Sequence, residues 1–293
     1  MVLERGTKFD PTLVKDLVSK VQGKSSLAVL SGQTPIPFNG KKEFVFTMDS
    51  EIDVVAESGK KTHGGVSLAP RTIVPIKVEY GARVTNEFMY ASEEEQISIL
   101  QAFNDGFAKK VSRGLDLMAF HGVNPRSGAA STVIGTNHFD SLVTQSVTAT
   151  ANANADIESA VGVVQGAGGE VSALAIAPEF RTNLAGLTKT DGNAMFPELA
   201  WGAAPQTLNG VRVDVNKTVS DMSTDLAVIG DFASSFKWGY VKDVPMEVIE
   251  YGDPDNSGLD LKGYNQVYIR AELYLGWGIL APENFARIVE AGA

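Results

Sequence analysis

The chain has 293 residues, of which 44% are hydrophobic, so it is long enough to build a substantial core in one or two domains. Its formal net charge of -10 disfavours a protein that wraps nucleic acid through broad cationic contact, because binding phosphates requires lysine and arginine. The absence of cysteine excludes disulfides and thiolate metal sites, and no apolar run reaches the roughly 18 residues of a membrane-spanning helix.

The first 40 residues are weakly patterned. A short helix is predicted at 11–21, followed by the run GKSSLAVLSGQTPIPFNG at 23–40, which is rich in glycine, serine and proline. This composition is typical of an arm or a linker, so the run is not expected to contribute to the core. Charged residues stand where a secretory signal would need apolar ones, so no signal peptide is expected.

Two alternating segments follow, separated by a turn. Most even positions from 44 to 56, and again from 74 to 84, are apolar, with polar or charged residues between them. Each segment could extend over roughly 12 residues, or about 40 Å, which is longer than a usual strand. Either bends divide the segments into ordinary sheet strands, or a hairpin projects and buries its apolar face on another copy of the protein.

The turn between these segments carries two adjacent lysines, Lys60 and Lys61. One interpretation is a solvated tip whose charge discourages edge-to-edge aggregation. The other is an ion-pair contact with another subunit.

A long amphipathic helix is predicted to begin at Ser92. Ser92 and Glu95 have the spacing of a capping box, and apolar residues recur every three or four positions from 97 to 118. A helix over 92–120 would span roughly 40 Å. The segment HGVNPRSG at 121–128 is predicted to end it.

The second half of the chain alternates strands with helices, which favours an α/β unit. The predicted elements are a helix at 157–165, a buried strand at 172–177, a helix opened by Pro178, a turn at Asn209 and Gly210 before an alternating strand, and strand-rich segments at 226–251 and 264–280.

Possible ligand sites in the sequence are incomplete. Asp253, Asp255 and Ser257 reproduce the start of a calcium loop, but Tyr264 stands where the bidentate glutamate is required, so a turn rich in Asp and Asn is favoured. Residues 23–25 resemble the end of a phosphate loop, but Val18 replaces its first glycine.

The three histidines, His63, His121 and His138, have neither HExxH spacing nor a recognisable nucleophile context. Ordinary polar or capping roles are therefore predicted for them, with no catalytic residue, metal or cofactor. A soluble α/β enzyme or a sugar-binding module stays as an alternative, and it would require a convergent pocket of titratable groups.

The order of these elements resembles that of the major capsid proteins of tailed bacteriophages, which have the Hong-Kong-97-type shell fold. The segments that carry the resemblance are AESGKK at 56–61, RGLDLMAFHGVNPRSG at 113–128, ALAIAPEFRTNLAGLTKTDGNAMF at 173–196, TLNGVRVDVNKTV at 207–219, and the closing segments at 228–249 and 269–289.

The resemblance implies an α+β fold with four parts. They are an N-terminal arm (1–40), an extended β-hairpin loop with its base (41–88), a peripheral domain with a long spine helix (89–128 plus 226–293, whose last strand can return to the axial domain), and an axial α/β domain (129–225).

The resemblance also implies a function without enzymatic activity. Such a protein self-assembles as hexamers and pentamers into an icosahedral shell that encloses a phage double-stranded DNA genome without sequence-specific binding. The residues expected at contacts between subunits are Ile52, Val54, Glu57, Lys60, Lys61, Val74 and Ile76.

The implied partners are further copies of the chain together with scaffolding, portal and decoration proteins, with no membrane and no cofactor. The expected location is the virion capsid, assembled in the cytoplasm of the host bacterium. An encapsulin, the shell protein of a cellular nanocompartment with enzyme cargo, is the alternative within the same fold.

Overall fold

The computed structural model describes residues 25–48, 50–61, 63–90, 93–241 and 246–292. The helix predicted at 11–21 and the capping residue Ser92 lie outside these ranges. The helices are α1 (Ser26–Leu30), α2 (Glu93–His121), α3 (Phe139–Leu142), α4 (Ala153–Gly166) and α5 (Pro178–Ala185). Short 3-10 turns lie at Asn86–Tyr90, Pro197–Gly202, Lys217–Val219 and Pro282–Asn284.

Twelve strands form three sheets in the described part of the chain. The strands are β1 (Lys41–Met48), β2 (Val66–Ile73), β3 (Ile76–Thr85), β4 (Ser146–Thr148), β5 (Ala173–Ile176), β6 (Thr207–Leu208), β7 (Val211–Val215), β8 (Asp225–Gly230), β9 (Phe236–Tyr240), β10 (Met246–Ile249), β11 (Gln266–Ile279) and β12 (Phe285–Val289).

The largest sheet has six strands in the order β4-β12-β8-β5-β7-β6. Its central strand β5 is buried along its whole length. Because neighbouring side chains of a strand point to opposite faces, Leu174 and Ile176 join one core with α4 and α5, while Ala173 and Ala175 join a second core with α2. The α/β unit predicted from the sequence is confirmed, with α4 and α5 covering one face of this sheet and α2 packed on the other.

A second sheet is built around the long strand β11. The strand β3 pairs with β11 from Thr85 to Ile76, and β10 and β9 pair with its first and second halves. The strand-rich segments predicted at 226–251 and 264–280 are confirmed by these strands and β8.

The helix α2 closely matches the predicted range and lies against the second sheet. Its side chains Phe107, Val111 and Leu115 are buried in a core that also contains alternate residues of β11, from Val267 to Ile279. Phe103 approaches Tyr80 of β3, with 6.0 Å between the ring centroids. No helix in the described ranges has the length and apolar character needed to cross a membrane.

The run 23–40 differs from its prediction. Leu27, Ala28 and Leu30 of α1 and the nearby Ile36 are buried, so the expectation that this run stays outside the core is wrong for residues 25–36. A five-residue helix is too short to produce a recognisable apolar period, which explains why the sequence pattern missed it.

One buried carboxylate holds α1 in place. Asp116 of α2 accepts hydrogen bonds from Ser25 Oγ at 2.5 Å, from the backbone N–H of Ser26 at 3.0 Å and from Thr218 Oγ1 at 2.7 Å. The backbone N–H of Leu27 donates to it as well, at 3.2 Å. Burial raises the pKa of Asp116 to about 6, although these hydrogen bonds oppose the rise.

The extended hairpin has a different strand pairing from the one predicted. β1 pairs with β2, from Lys41 opposite Ile73 to Met48 opposite Val66, and β3 pairs with β11 instead. The interpretation of the segment 74–84 as the second strand of a projecting hairpin is therefore wrong, and the alternative of an ordinary sheet strand is confirmed for it. The true return strand carries Pro70 and lacks regular alternation, so the sequence pattern did not reveal it.

We predict that Asp116→Ala lowers the free energy of unfolding by about 3 kcal/mol, because it leaves several buried donors without an acceptor. Chemical denaturation of the full chain measures this change. Lys110→Ala, on the exposed face of the same helix, serves as the control, with a change within about 0.5 kcal/mol. Equal losses for both variants would contradict a special role for Asp116.

Candidate assembly surface

The surface with the most exposed apolar side chains is formed by β1, β2 and the loop between them, here called the ribbon. Within the described residues, neither β1 nor β2 pairs with a third strand. The exposed fractions of five of its large apolar residues are 61% for Phe44, 70% for Met48, 94% for Ile52, 93% for Val54 and 57% for Val66.

Such a surface is costly to leave in water. Burying a Val, Ile, Phe or Met side chain contributes about 1.5–3 kcal/mol, so the five side chains together offer on the order of 10 kcal/mol before ordering costs. A two-stranded hairpin is also only marginally stable by itself. The ribbon is therefore suited to pack against another surface.

Five of the seven predicted contact residues lie together on the loop of the ribbon. Ile52 and Val54 are exposed along its first part, and Glu57, Lys60 and Lys61 are exposed at and just after the turn. The turn is closed by a hydrogen bond of 2.8 Å from the N–H of Gly59 to the carbonyl oxygen of Ala56. The loop thus presents apolar and cationic groups close to each other in sequence.

The other two predicted residues lie at the base of the ribbon. Val74, at the corner between β2 and β3, is 60% exposed, whereas Ile76 is half-buried and packs against the core of its own chain. The structure therefore does not bring Val74 and Ile76 together with the loop residues.

An ion-pair group fixes the base of the ribbon. Glu43 of β1 contacts the amino group of Lys41 at 2.8 Å and that of Lys237 of β9 at 3.3 Å. The hydrogen bonds from Lys41 and Lys237 hold the pKa of Glu43 below its ordinary value. Sequence reasoning missed this contact, because alternation placed Glu43 on the polar face of its strand but could not identify Lys237, far along the chain, as its partner.

Sequence reasoning also missed an exposed aromatic residue, Trp201. Trp201 lies in the turn Pro197–Gly202, has a positive φ of 58°, and its side chain is fully exposed. A fully exposed tryptophan is uncommon on a monomer surface and frequent in protein interfaces. The only sequence signal was an aromatic residue within the long loop after α5.

The calcium-like segment is a turn organised around Arg83. The guanidinium of Arg83 donates to Asp253 at 2.8 Å, to Asp255 at 2.5 and 2.9 Å, and to the carbonyl oxygen of Leu259 at 2.9 Å. Its hydrogen bonds and charge hold the pKa of Asp255 far below the usual range. The predicted Asp-rich turn is confirmed, with a side-chain cation at its centre.

The three histidines have separate environments. His63 is exposed on the loop of the ribbon. His121 is buried at the end of α2, between the Asp140 carboxylate and the carbonyl oxygen of Thr218. His138 precedes α3 but makes no capping hydrogen bond with its side chain, so the polar role predicted for the histidines fits His121 best.

The chain is similar in sequence and in structure to capsid proteins of phages. The chain matches the sequence model of the phage capsid family over residues 9–289. No curated protein sequence matches it. A solved structure from Mycobacterium phage Ogopogo is 32% identical to it, with a TM-score of 0.75 over 92% of both chains.

More distant structures share the fold alone. One from Gordonia phage Cozz is 22% identical, with a TM-score of 0.76 over 92% of this chain and 87% of that chain. The capsid of an empty GTA particle is 13% identical, with a TM-score of 0.63 over 92% of this chain and 90% of that chain.

We predict that Arg83→Gln accelerates amide hydrogen exchange at residues 252–259, because the turn loses the cation that neutralises its two carboxylates. Hydrogen exchange followed by mass spectrometry measures the effect. Arg83→Lys, which keeps the charge but loses the planar fork, is expected to give an intermediate rate. An unchanged rate in Arg83→Gln would show that the internal hydrogen bonds of the turn suffice.

Proposed function

Because the chain belongs to the phage capsid family, and is thereby a structural component of a virion, we propose that it self-assembles as hexamers and pentamers into an icosahedral shell around a double-stranded DNA genome. The Hong-Kong-97-type fold expected from the sequence is confirmed by the structural matches.

One observation carries the proposal of self-assembly. The ribbon exposes Phe44, Met48, Ile52, Val54 and Val66, and its own chain supplies no layer to cover them in the described ranges. In a closed shell, each ribbon lies on a neighbouring subunit and each subunit receives a ribbon. Many contacts of modest strength then act together, so no single contact has to be tight.

The division of the subunit follows from its sheets. We assign the six-stranded sheet with α4 and α5 to the axial domain, which meets its copies around the centre of a capsomer. Because β8 and β12 pair within this sheet, they are better assigned to the axial domain than to the peripheral one. The peripheral domain then consists of α2 and the sheet around β11.

The acidic character of the chain suits a shell that encloses DNA. A net charge of -10 repels phosphates on average, which would leave packaged DNA mobile at the inner wall. Scaffolding, portal and decoration proteins, and assembly in the host cytoplasm, are expectations that follow from the family. An encapsulin with enzyme cargo is distinguished from this proposal by the contents of the shell.

We predict that the purified full chain, expressed with its scaffold where it needs one, forms capsomers or shells in electron micrographs and sediments accordingly. Particles isolated from phage-producing cells should contain double-stranded DNA, because a virion capsid encloses the genome. Enzyme cargo in place of nucleic acid would support the encapsulin alternative. A compact monomer at every concentration, with scaffold present, would contradict the proposal.

The double variant Ile52→Asp with Val54→Asp tests, in the same assay, whether the ribbon is needed for assembly. Both side chains are more than 90% exposed, so we expect the subunit to keep its unfolding free energy within about 0.5 kcal/mol while assembly is reduced at least tenfold. Val133→Asp, at an apolar side chain that is 73% exposed outside the ribbon, is the control. Normal shells from the double variant would remove the ribbon from the mechanism.

We also predict that Lys60→Glu and Lys61→Glu each weaken assembly severalfold at low ionic strength, with a smaller effect at high salt. Both lysines are exposed, and the neighbouring subunit of the proposed shell carries a net negative charge that attracts them. Salt screens this attraction, so it weakens at high ionic strength. Light scattering at several salt concentrations measures this dependence. Lys189→Glu, outside the ribbon, is the control. Equal effects for all three variants would mean that the change in net charge, and not a contact of Lys60 or Lys61, weakens assembly.

A further inference from the structure

The C-terminal end of α2 is held against the six-stranded sheet by buried charged groups. His121, the last residue of α2, places Nδ1 2.9 Å from Oδ2 of Asp140 and Nε2 2.9 Å from the carbonyl oxygen of Thr218. Arg287 of β12 donates from Nη1 to Asp140 and to Asp225, at 3.2 Å in both cases. This group, here called the joint, connects α2, α3, β8 and β12.

The surroundings of His121 require two N–H donors. A carboxylate oxygen and a backbone carbonyl oxygen both accept hydrogen bonds, and one of them faces each ring nitrogen. A neutral imidazole has a single N–H, so it would direct a lone pair at one of these oxygens. The His121 side chain is only 2% exposed, so water offers little replacement for the lost hydrogen bond.

When His121 is a cation, its charge faces the carboxylate of Asp140 at 2.9 Å. His121 and Arg287 then face the carboxyl groups of Asp140 and Asp225, and the guanidinium of Arg287 lies against both carboxyl groups. Burial raises the pKa of Asp225, and the neighbouring Asp140 adds to this rise. Burial would also raise the pKa of Asp140, but His121 and Arg287 outweigh it and lower that pKa.

A second imidazole, that of His138, lies beside the joint in different surroundings. The ring of His138 is so close to Gly122 that a Cβ there would lie 2.4 Å from it. Nδ1 of His138 is buried and has no hydrogen-bond partner among the described residues. Burial lowers the pKa of His138, and the nearby charges of His121 and Arg287 act in the same direction, against Asp140.

We propose that His121 is an imidazolium cation in the folded subunit, and that its deprotonation loosens the joint between α2 and the six-stranded sheet. The joint is then a pH-sensitive element that connects the two layers of the subunit. Because all of its groups belong to one chain, it can be measured both before and after assembly.

The direction of the pH dependence follows from proton linkage. Burial alone would lower the pKa of His121, but the hydrogen bond and charge of Asp140, with the Thr218 carbonyl, raise it above its ordinary value of 6.5. A raised pKa means that the stabilisation is complete below 6.5 and is lost as the pH rises through the folded-state value. Asp225 acts in the same direction, whereas the contribution of Asp140 is lost only in acid.

The experiment on the unchanged protein is deuterium exchange at C2 of each imidazole, read by mass spectrometry as a function of pH. The full chain contains only three histidines, so each one is resolved in its own peptide. We expect the exchange transition of His121 to lie above pH 6.5 and that of His138 to lie below it. A transition of His121 below this value would overturn the proposal.

The variant His121→Gln tests the consequence for stability. Its side chain is neutral at every pH, so the melting temperature of the natural chain should exceed that of the variant by several degrees near pH 6, and the difference should shrink near pH 8.5. His63→Gln, on the exposed loop, is the matched control and should show no such trend. A difference that does not change with pH would mean that His121 acts only through packing.

Discussion

The structure depends on one constraint: within the described ranges, the exposed apolar side chains of the two-stranded ribbon have no second layer of the same chain to pack against. Every other apolar element described here solves this problem internally, because α2, α4 and α5 cover faces of the two sheets. The ribbon leaves Ile52 and Val54 in water. Covering these side chains with another surface would therefore lower the free energy of the ribbon.

The remainder of the subunit is built to hold the ribbon at a defined place. Ile73, at the end of β2, is buried beside Gly276 and Gly278, where any added side chain would come within 3 Å of β2 or the residue after it. Glu43 and Lys237 bind the other strand of the ribbon to β9. The base of the ribbon is thus fixed to the sheet around β11 by packing and by an ion pair, while the loop at the other end of the ribbon is exposed.

Sequence patterns predicted those elements whose burial is local and regular. The long period of α2, the all-apolar β5 and the turn at Asn209 and Gly210, both with positive φ, were all found at or near their expected positions. Sequence patterns did not predict the elements whose burial or pairing depends on residues far away in the chain. β3 alternates because it pairs with β11, and α1 is buried because of Asp116, 90 residues further along the chain.

The candidate site shows the same limit. Alternation alone showed that Ile52 and Val54 lie on an apolar face, and their expected contact with another subunit came from the resemblance to capsid proteins. Alternation could not separate Ile76, since an identical period arises from packing on the chain's own core. The joint at His121 left no sequence signal, because its members come from four elements and meet only after folding. The apolar face of the ribbon is therefore visible in the sequence pattern, whereas the buried charges of the joint are visible only in the folded chain.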